Sequence, residues 1–276
     1  MTLKEYIDPE FKKLLNTTDK IEVDNRKIDE TVFTSLWNRV DPWFEKPNFR
    51  RSTSKESWSG VTKIQIKKHN FFLKKQQDYF VYSIKPPFKR MLFQREFENI
   101  KLFESLKIPS LDPVYFGIRK SGHHTQAILI TKALDNYISL LKAKKQFLDL
   151  PGQEQRKIKR SAITSVAELV KKTHLSGLMH NYLYFKHIYI DKNFCKTGEK
   201  PSYEPVCRFI DLDGARKARY NSKKQLRDLE TLSRINRDSS AINIKDKIYF
   251  LIKYLNKTRC DKDVRKLIKR IKKISK

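Results

Sequence analysis

At 276 residues, with 39% hydrophobic residues and 17 Phe, the chain has room for one two-lobed domain or two small ones around a real core. Its formal net charge of +29 favours an anionic partner (nucleic acid, an anionic membrane, or a phosphorylated glycan or lipid) without choosing among them. Cys195, Cys207 and Cys260 are few, far apart and without a Cys-x-x-Cys pair, which speaks against a disulfide frame or zinc site and for reduced thiols in a cytoplasmic protein. The first 35 residues lack the apolar core of a secretory signal. No stretch approaches the ~18 consecutive apolar residues of a membrane span, and there is no internal repeat.

Residues 1–35 read as polar and irregular, with a short helical pattern over 3–15. Trp37, Trp43 and Phe44 stand between polar residues and read as an apolar clamp at 37–47. Residues 48–60 are polar, basic and Ser-rich, and end in Ser57-Trp-Ser59-Gly60. Such a loop presents amides and hydroxyls to phosphate. With one Gly and no G-x-G-x-x-G it reads as readily as a solvated hairpin loop.

Strands are expected at 61–66, 70–74 and 79–83. Lys74 closes the apolar run Phe71-Phe-Leu, and a lysine there is buried only with an anionic partner. Phe93, Phe97, Ile100 and Phe103 share one helical face, and Glu96 beside it offers that partner. Glu98 would serve as well on the residues alone. Residues 108–117 end the helix and start another strand, and Ala127-Ile-Leu-Ile-Thr131-Lys132 has the composition of a buried strand. It runs into Leu134-Asp-Asn-Tyr137 and a helix. Residues 153–173 form a long amphipathic helix with Ile158, Ala162, Val166, Leu169 and Val170 on one face.

The chemistry concentrates in 174–213. His180-Asn-Tyr182-Leu-Tyr-Phe-Lys-His187 leads into a strand, a polar hairpin at 191–204, and a second strand ending Phe209-Ile210-Asp211-Leu-Asp213. In extended chain Asp211 and Asp213 point the same way. Two such carboxylates suit Mg²⁺, which shares oxygen ligands with phosphates. His180 and His187 keep the spacing of a kinase-like catalytic loop, with His187 where that loop has Asn. Singly these residues read as a capping Asp or a packed His; jointly they read as a phosphotransfer site. Helices are expected at 222–236, 242–255 and 261–275. Residues 245–276 hold 13 Lys or Arg against 3 Asp or Glu, with Val264, Leu267, Ile268, Ile271 and Ile274 in a stripe. This basic amphipathic segment docks on the core, lies on an anionic membrane surface, or does both.

Taken in order, Phe71-Phe-Leu-Lys74, Arg95-Glu96-Phe-Glu98, Ile108-Pro109 with Pro113-Val-Tyr-Phe-Gly117, Thr131-Lys-Ala-Leu-Asp-Asn-Tyr137, His180 to His187 and Ile210-Asp211-Leu-Asp213 resemble the lipopolysaccharide kinase family (WaaP and Kdo kinase-like proteins), most nearly its InaA-like branch. The resemblance covers residues 37–236. It implies an α+β, protein-kinase-like bilobal fold with an antiparallel-sheet N-lobe and a mainly helical C-lobe. It also implies ATP- and Mg²⁺-dependent phosphorylation of an inner-core sugar, heptose or Kdo, at the cytoplasmic face of the inner membrane. The corresponding divisions are an N-terminal extension at 1–36, an N-lobe at 37–132, a C-lobe at 133–240, and basic helices at 241–276 packed on the C-lobe. Residue by residue, Lys74 matches the phosphate-holding lysine and Glu96 its partner. Ser57 and Ser59 fall in the phosphate loop, and Lys132 and Leu134 at the hinge that meets adenine. His180 and Tyr182 fall in the catalytic loop. Asp211 matches the metal-binding Asp, His187 the loop residue near the metal, and Asp213 a second ligand or surrogate base. Asp228, in Arg227-Asp228-Leu229, matches the Asp that braces the catalytic loop from a later helix. One position departs: kinases of this class carry Asp two residues after the loop His, and here it is Tyr182. A phenol is a poor base at neutral pH. Phosphoryl transfer depends mostly on positioning and charge neutralisation, so the loss need not abolish it. Two rivals stay open: a pseudokinase with a binding role at the envelope, and a nucleic-acid-binding protein argued from charge alone.

Overall fold

Aromatic and β-branched runs fill the first part of the chain, and the structure pairs them into one antiparallel sheet. The computed structural model describes residues 5–17, 21–23, 26–28, 57–82, 88–147, 152–202, 204–234 and 242–274. The expected clamp at 37–47 and the polar loop before Ser57 lie outside them. The chain sorts into two compact units, residues 1–100 with 111–133, and residues 101–110 with 134–276. Against the expected divisions, helix Pro9–Asn16 clusters with the sheet instead of standing in an extension. Residues 101–110 cluster with the helices, where Phe103 packs edge-on to Phe209 at 6.3 Å.

The sheet of the first unit has the order β1 (Glu5–Ile7), β8 (Pro113–Ser121), β9 (His124–Lys132), β5 (His69–Gln77), β4 (Trp58–Ile66), β2 (Ile21–Val23), β3 (Arg26–Ile28). Ala127 to Ile130 are fully buried in β9, between β8 and β5, as an apolar run flanked on both sides demands. β4 and β5 join through a two-residue turn with Lys67 at φ 54°, the left-handed geometry that short hairpins require. Helix α1 (Pro9–Asn16) starts where Asp8 caps it, its Oδ1 accepting the Phe11 N–H at 3.0 Å. Its Phe11 and Leu15 join Ile64, Ile66, Phe71 and Leu73 in the core. Helix α2 (Leu92–Ser105) buries Phe93, Phe97, Ile100 and Phe103, and Phe97 stacks on Phe116 at 4.5 Å. A two-stranded ribbon, β6 (Phe80–Tyr82) with β7 (Lys89–Met91), precedes it.

Strand β5 runs three residues past its expected end at Lys74. Lys75 and Gln76 are buried although polar. The Gln76 side chain donates to the Tyr79 carbonyl and accepts the Phe93 N–H, both at 3.1 Å. Satisfied in this way, Gln76 stays in the ladder.

The second unit is mainly helical: α3 (Leu140–Gln146), α4 (Gly152–Leu175), a short α5 (Phe194–Thr197), α6 (Lys223–Arg234), α7 (Ile244–Tyr254) and α8 (Lys262–Ile274). Its small sheet has the order β10 (Tyr137–Ser139), β12 (Ile188–Asp191), β13 (Cys207–Phe209), and β11 (Leu178–Met179) pairs with β14 (Arg216–Lys217). The expected polar hairpin at 191–204 contains α5, because Phe194 and Cys195 are buried and Asp191 accepts the Phe194 N–H at 2.7 Å. α7 lies along α4, where Lys159 pairs with Asp246 at 2.9 Å, and α8 packs on α6. Val264, Leu267 and Ile271 are buried, so the apolar stripe of α8 faces the unit and its lysines face water. All three cysteines are free. Among the described residues no helix is long and apolar enough to cross a membrane.

Candidate active site

In the first unit, Lys74 and Gln76 are two residues apart on β5 and so share a face; both reach α2. Lys74 Nζ stands 2.6 Å from Glu96 Oε1, with the Glu96 side chain 1% exposed and that of Lys74 15%. Removing either partner leaves an uncompensated buried charge, which costs about 3–5 kcal/mol. The alternative Glu98 is taken by Arg90 at 2.6 Å and by Gln94 at 3.0 Å. Ser57 and Ser59 are not in an open phosphate loop. Ser57 is buried with its hydroxyl donating to the Asp78 carbonyl at 3.3 Å, and Ser59 sits in β4 opposite Gln76. The hairpin pairing that carries β5 to Gln77 draws them in. Lys132 ends β9, its N–H bonded to Asp112 O at 2.9 Å; in the second unit Leu134 O accepts the Tyr137 N–H at 2.9 Å.

The second unit holds the loop. Asp228 of α6 is 1% exposed, and its two oxygens accept the backbone N–H groups of His180 (2.7 Å) and Asn181 (2.8 Å). His174 Nε2 approaches the same carboxylate at 3.3 Å, and His174 Nδ1 meets the Tyr254 hydroxyl at 2.8 Å. A carboxylate only accepts, so Nε2 carries the proton and Tyr254 donates to Nδ1. A chain of hydrogen bonds therefore runs from α7 through α4 to the loop backbone. Asn181 takes φ 70° there, and its Oδ1 accepts from Arg216 at 2.8 Å. His180 is fully buried and donates from Nε2 to Ile210 O at 3.0 Å. Burial pushes its imidazole pKa below the ordinary value, against the pull of Asp228. It ties the loop to the strand that carries Asp211.

His187 Nδ1 lies 2.8 Å from the Tyr182 carbonyl, which can only accept, so Nδ1 donates. Its Nε2 lies 3.0 Å from Asp211 Oδ2. Both of those atoms are acceptors unless a cation lies between them. Two acceptors at this distance are held together only by a cation between them, a proton or a metal. Asp211 is half-exposed, its φ of 61° placing it in the left-handed region. The Asp211 carboxylate thus offers a hard cation one oxygen ligand, to be completed by phosphate and water oxygens.

The expected shared face of Asp211 and Asp213 is not what forms. The ladder ends with Ile210 N–H to His187 O, Asp211 turns left-handed, and residues 212–214 make a 3₁₀ turn that buries Leu212. Among the described residues no three His, Cys, Asp or Glu side chains gather around one metal position, so Asp213 does not join Asp211 and His187 in a ligand cluster. Sequence reasoning also missed Gly214. A Cβ there would stand 2.4 Å from two Tyr182 ring carbons, so the ring lies against the glycine. The glycine straight after Asp213 was the available signal. His174 and Tyr254 carried none, being far apart in sequence.

The antiparallel sheet unit and the helical unit, with this loop and acidic turn, are those of a protein-kinase-like α+β fold. The solved structure titled "WaaP in complex with acyl carrier protein" aligns over 99% of this chain and 100% of its own, with a TM-score of 0.62 and 17% identity. A likeness at that identity establishes the fold. Altogether 751 chains of solved structure match, so the fold alone selects no substrate. No curated protein matches by sequence. The model of the lipopolysaccharide kinase (Kdo/WaaP) family matches residues 34–267, and the chain belongs to that family of phosphotransferases. Neither finding bears on the InaA-like branch.

Proposed function

We propose that the protein is an ATP- and Mg²⁺-dependent kinase that phosphorylates a sugar hydroxyl, heptose or Kdo, of the lipopolysaccharide inner core. We place it at the cytoplasmic face of the inner membrane as a peripheral protein. The observation that carries the reading is the His187–Asp211 pair, in which His187 Nε2 stands 3.0 Å from Asp211 Oδ2 while its Nδ1 is turned to the Tyr182 carbonyl. Family membership supplies the substrate class. The exposed basic face of α8 and the net charge of +29 support the anionic surface.

Lys74, kept charged and oriented by Glu96, offers its ammonium to phosphate oxygens of the nucleotide. Asp211 and His187 would hold Mg²⁺, which when bound neutralises charge on the departing phosphoryl group. Asp228 fixes the loop backbone at His180 and Asn181, and His180 fixes the loop to Ile210. Tyr182 supplies packing and a carbonyl, and no base. In a loose transition state the acceptor's proton leaves late, so positioning of the hydroxyl carries most of the effect. The acyl carrier protein belongs to the WaaP structure, and a fold-level likeness does not transfer that partnership.

The test is mass spectrometry of core oligosaccharide from a deletion strain, which should lack one phosphate, with transfer to purified core acceptor restored by the wild-type protein. The filled Asp position at Tyr182 favours one second reading, a pseudokinase. Wild-type protein that binds no Mg-ATP at millimolar nucleotide would establish it.

A further inference from the structure

A cluster of unpaired cations lies in the helical unit, on none of the loop or acidic-turn residues. The N-terminal half of α4 presents Arg156, Lys157 and Arg160, all exposed and spaced to share one helical face. Lys200, from the segment after α5, faces them across a groove of about 510 Å³ that Thr164 and Tyr249 of α7 also line. Among the described residues no carboxylate lines it. Among the described residues none of these four cations has an acidic partner, whereas the neighbouring Lys159 is paired with Asp246 at 2.9 Å.

The groove is built as well as charged. The Arg160 guanidinium carbon lies 5.5 Å from the centre of the Tyr249 ring, and Lys253 Nζ 5.3 Å from it. Thr164 gives its hydroxyl proton to Arg160 O at 2.9 Å, so the Tyr249 hydroxyl, 3.4 Å away, is the donor to Thr164. Tyr249 is thereby anchored, and Arg160 is positioned by stacking, which leaves its fork of N–H groups free for an oxygen ligand. Four like charges facing one cavity repel one another, and a ligand carrying one or two negative charges relieves that repulsion. The Tyr249 ring is engaged by Arg160 and Lys253, so the groove lacks the open aromatic platform on which single-stranded nucleic acid stacks.

We propose that this groove binds a phosphate group, the shared chemistry of an anionic lipid headgroup and of free phosphate. The site stands apart from the kinase reading, since neither arm of its test measures phosphoryl transfer. In the first arm inorganic phosphate or pyrophosphate is titrated into the full chain by calorimetry at physiological salt. In the second, the chain is mixed with phosphatidylcholine vesicles with and without phosphatidic acid. Each arm compares wild type, Arg160→Gln and Lys12→Gln, the last removing one exposed charge from α1, in the other unit. The expected result is saturable binding that Arg160→Gln weakens about tenfold and Lys12→Gln leaves within about twofold. Arg160→Lys should recover part of the loss, since charge returns without the fork. Response in the vesicle arm assigns the phosphate to a lipid headgroup, and response in the soluble arm alone assigns it to free phosphate. Equal losses in the two variants would reduce the effect to net charge and overturn the proposal. So would an absence of saturable binding in both arms, or an effect of Arg160→Gln confined to a single-stranded oligonucleotide probe. Unchanged thermal unfolding of Arg160→Gln secures the comparison, because the residue is exposed.

Discussion

Replacing Asp228 by Asn keeps the volume of the side chain and removes one oxygen. The carboxylate is 1% exposed and accepts three groups: the N–H of His180 at 2.7 Å, the N–H of Asn181 at 2.8 Å, and His174 Nε2–H at 3.3 Å. In the Asn variant one backbone N–H must face an NH₂ group, or the amide flips and the other one does. One charge-assisted bond is lost, worth ~1.5–3 kcal/mol, and one buried donor is stranded, at a further ~1–3 kcal/mol. A total of about 2.5–6 kcal/mol is a large share of the ~5–15 kcal/mol that holds a typical domain together. The loss also falls on the loop that carries Tyr182 and His187, so transfer should fall further than stability. The assay is denaturant unfolding together with phosphate transfer to core acceptor. Leu229→Ala is the comparison, a buried neighbour on the same helix that should cost ~2–5 kcal/mol without touching the loop backbone. An Asp228→Asn protein within 1 kcal/mol of wild type and equally active would refute the bracing role; equal activity losses per kcal/mol in the two variants would make it merely structural.

Lys74→Ala should weaken ATP binding in calorimetry, and unchanged affinity would remove Lys74 and Glu96 from the nucleotide site. Asp211→Asn should abolish transfer, at a cost of several kcal/mol of barrier, while Tyr182→Phe should be mild; turnover that survives Asp211→Asn would sink the site assignment. Gly214→Ala places a Cβ 2.4 Å from the Tyr182 ring and should cost ~1–3 kcal/mol, with most of the loss recovered when Tyr182→Ala is added; a neutral single variant would mean the ring is free to move. Burial, helped by repulsion from Arg119, lowers the Lys75 pKa from 10.5 to about 8. The unfolded chain then holds more protons across that window, so stability should rise as pH rises from about 8 to 10.5. Lys75→Met should flatten the rise in melts taken across it, and an unaltered slope would show that Lys75 is not its source.

The α2 helix was legible because Phe93, Phe97, Ile100 and Phe103 repeat at the helical period, and burial follows period closely. The choice between Glu96 and Glu98 was not, since it is decided by Arg90, a residue of β7 that takes Glu98. The far end of β5 was hidden by its composition: Lys75-Gln-Gln77 looks like a turn until the Gln76 side chain is seen filling two backbone partners. The loop and acidic turn were visible as an ordered set of residue types, while their geometry depended on one dihedral. With Asp211 at φ 61°, the alternation that would have put Asp213 beside it stops. Pairs such as His174 with Tyr254, 80 residues apart, leave no local trace at all.

Tyr182 joins these observations. Its position is where a kinase loop has Asp, and the change looks at first like a simple loss. In the structure the ring rests on Gly214 and the carbonyl takes the His187 Nδ1 proton. That second contact turns His187 Nε2 towards Asp211 at 3.0 Å. The residue that cannot act as a base thus belongs to the machinery that places His187 against Asp211. His187 belongs to it too, standing where the kinase loop has Asn and supplying a ring nitrogen. Relative to a loop with Asp, the helical unit's site carries one negative charge fewer. On the proposed reading its acceptor is itself an anionic glycolipid, and one carboxylate fewer means less repulsion against both the nucleotide and the acceptor. Positioning and charge neutralisation dominate phosphoryl transfer, so a site can give up its base more cheaply than it can give up Asp211.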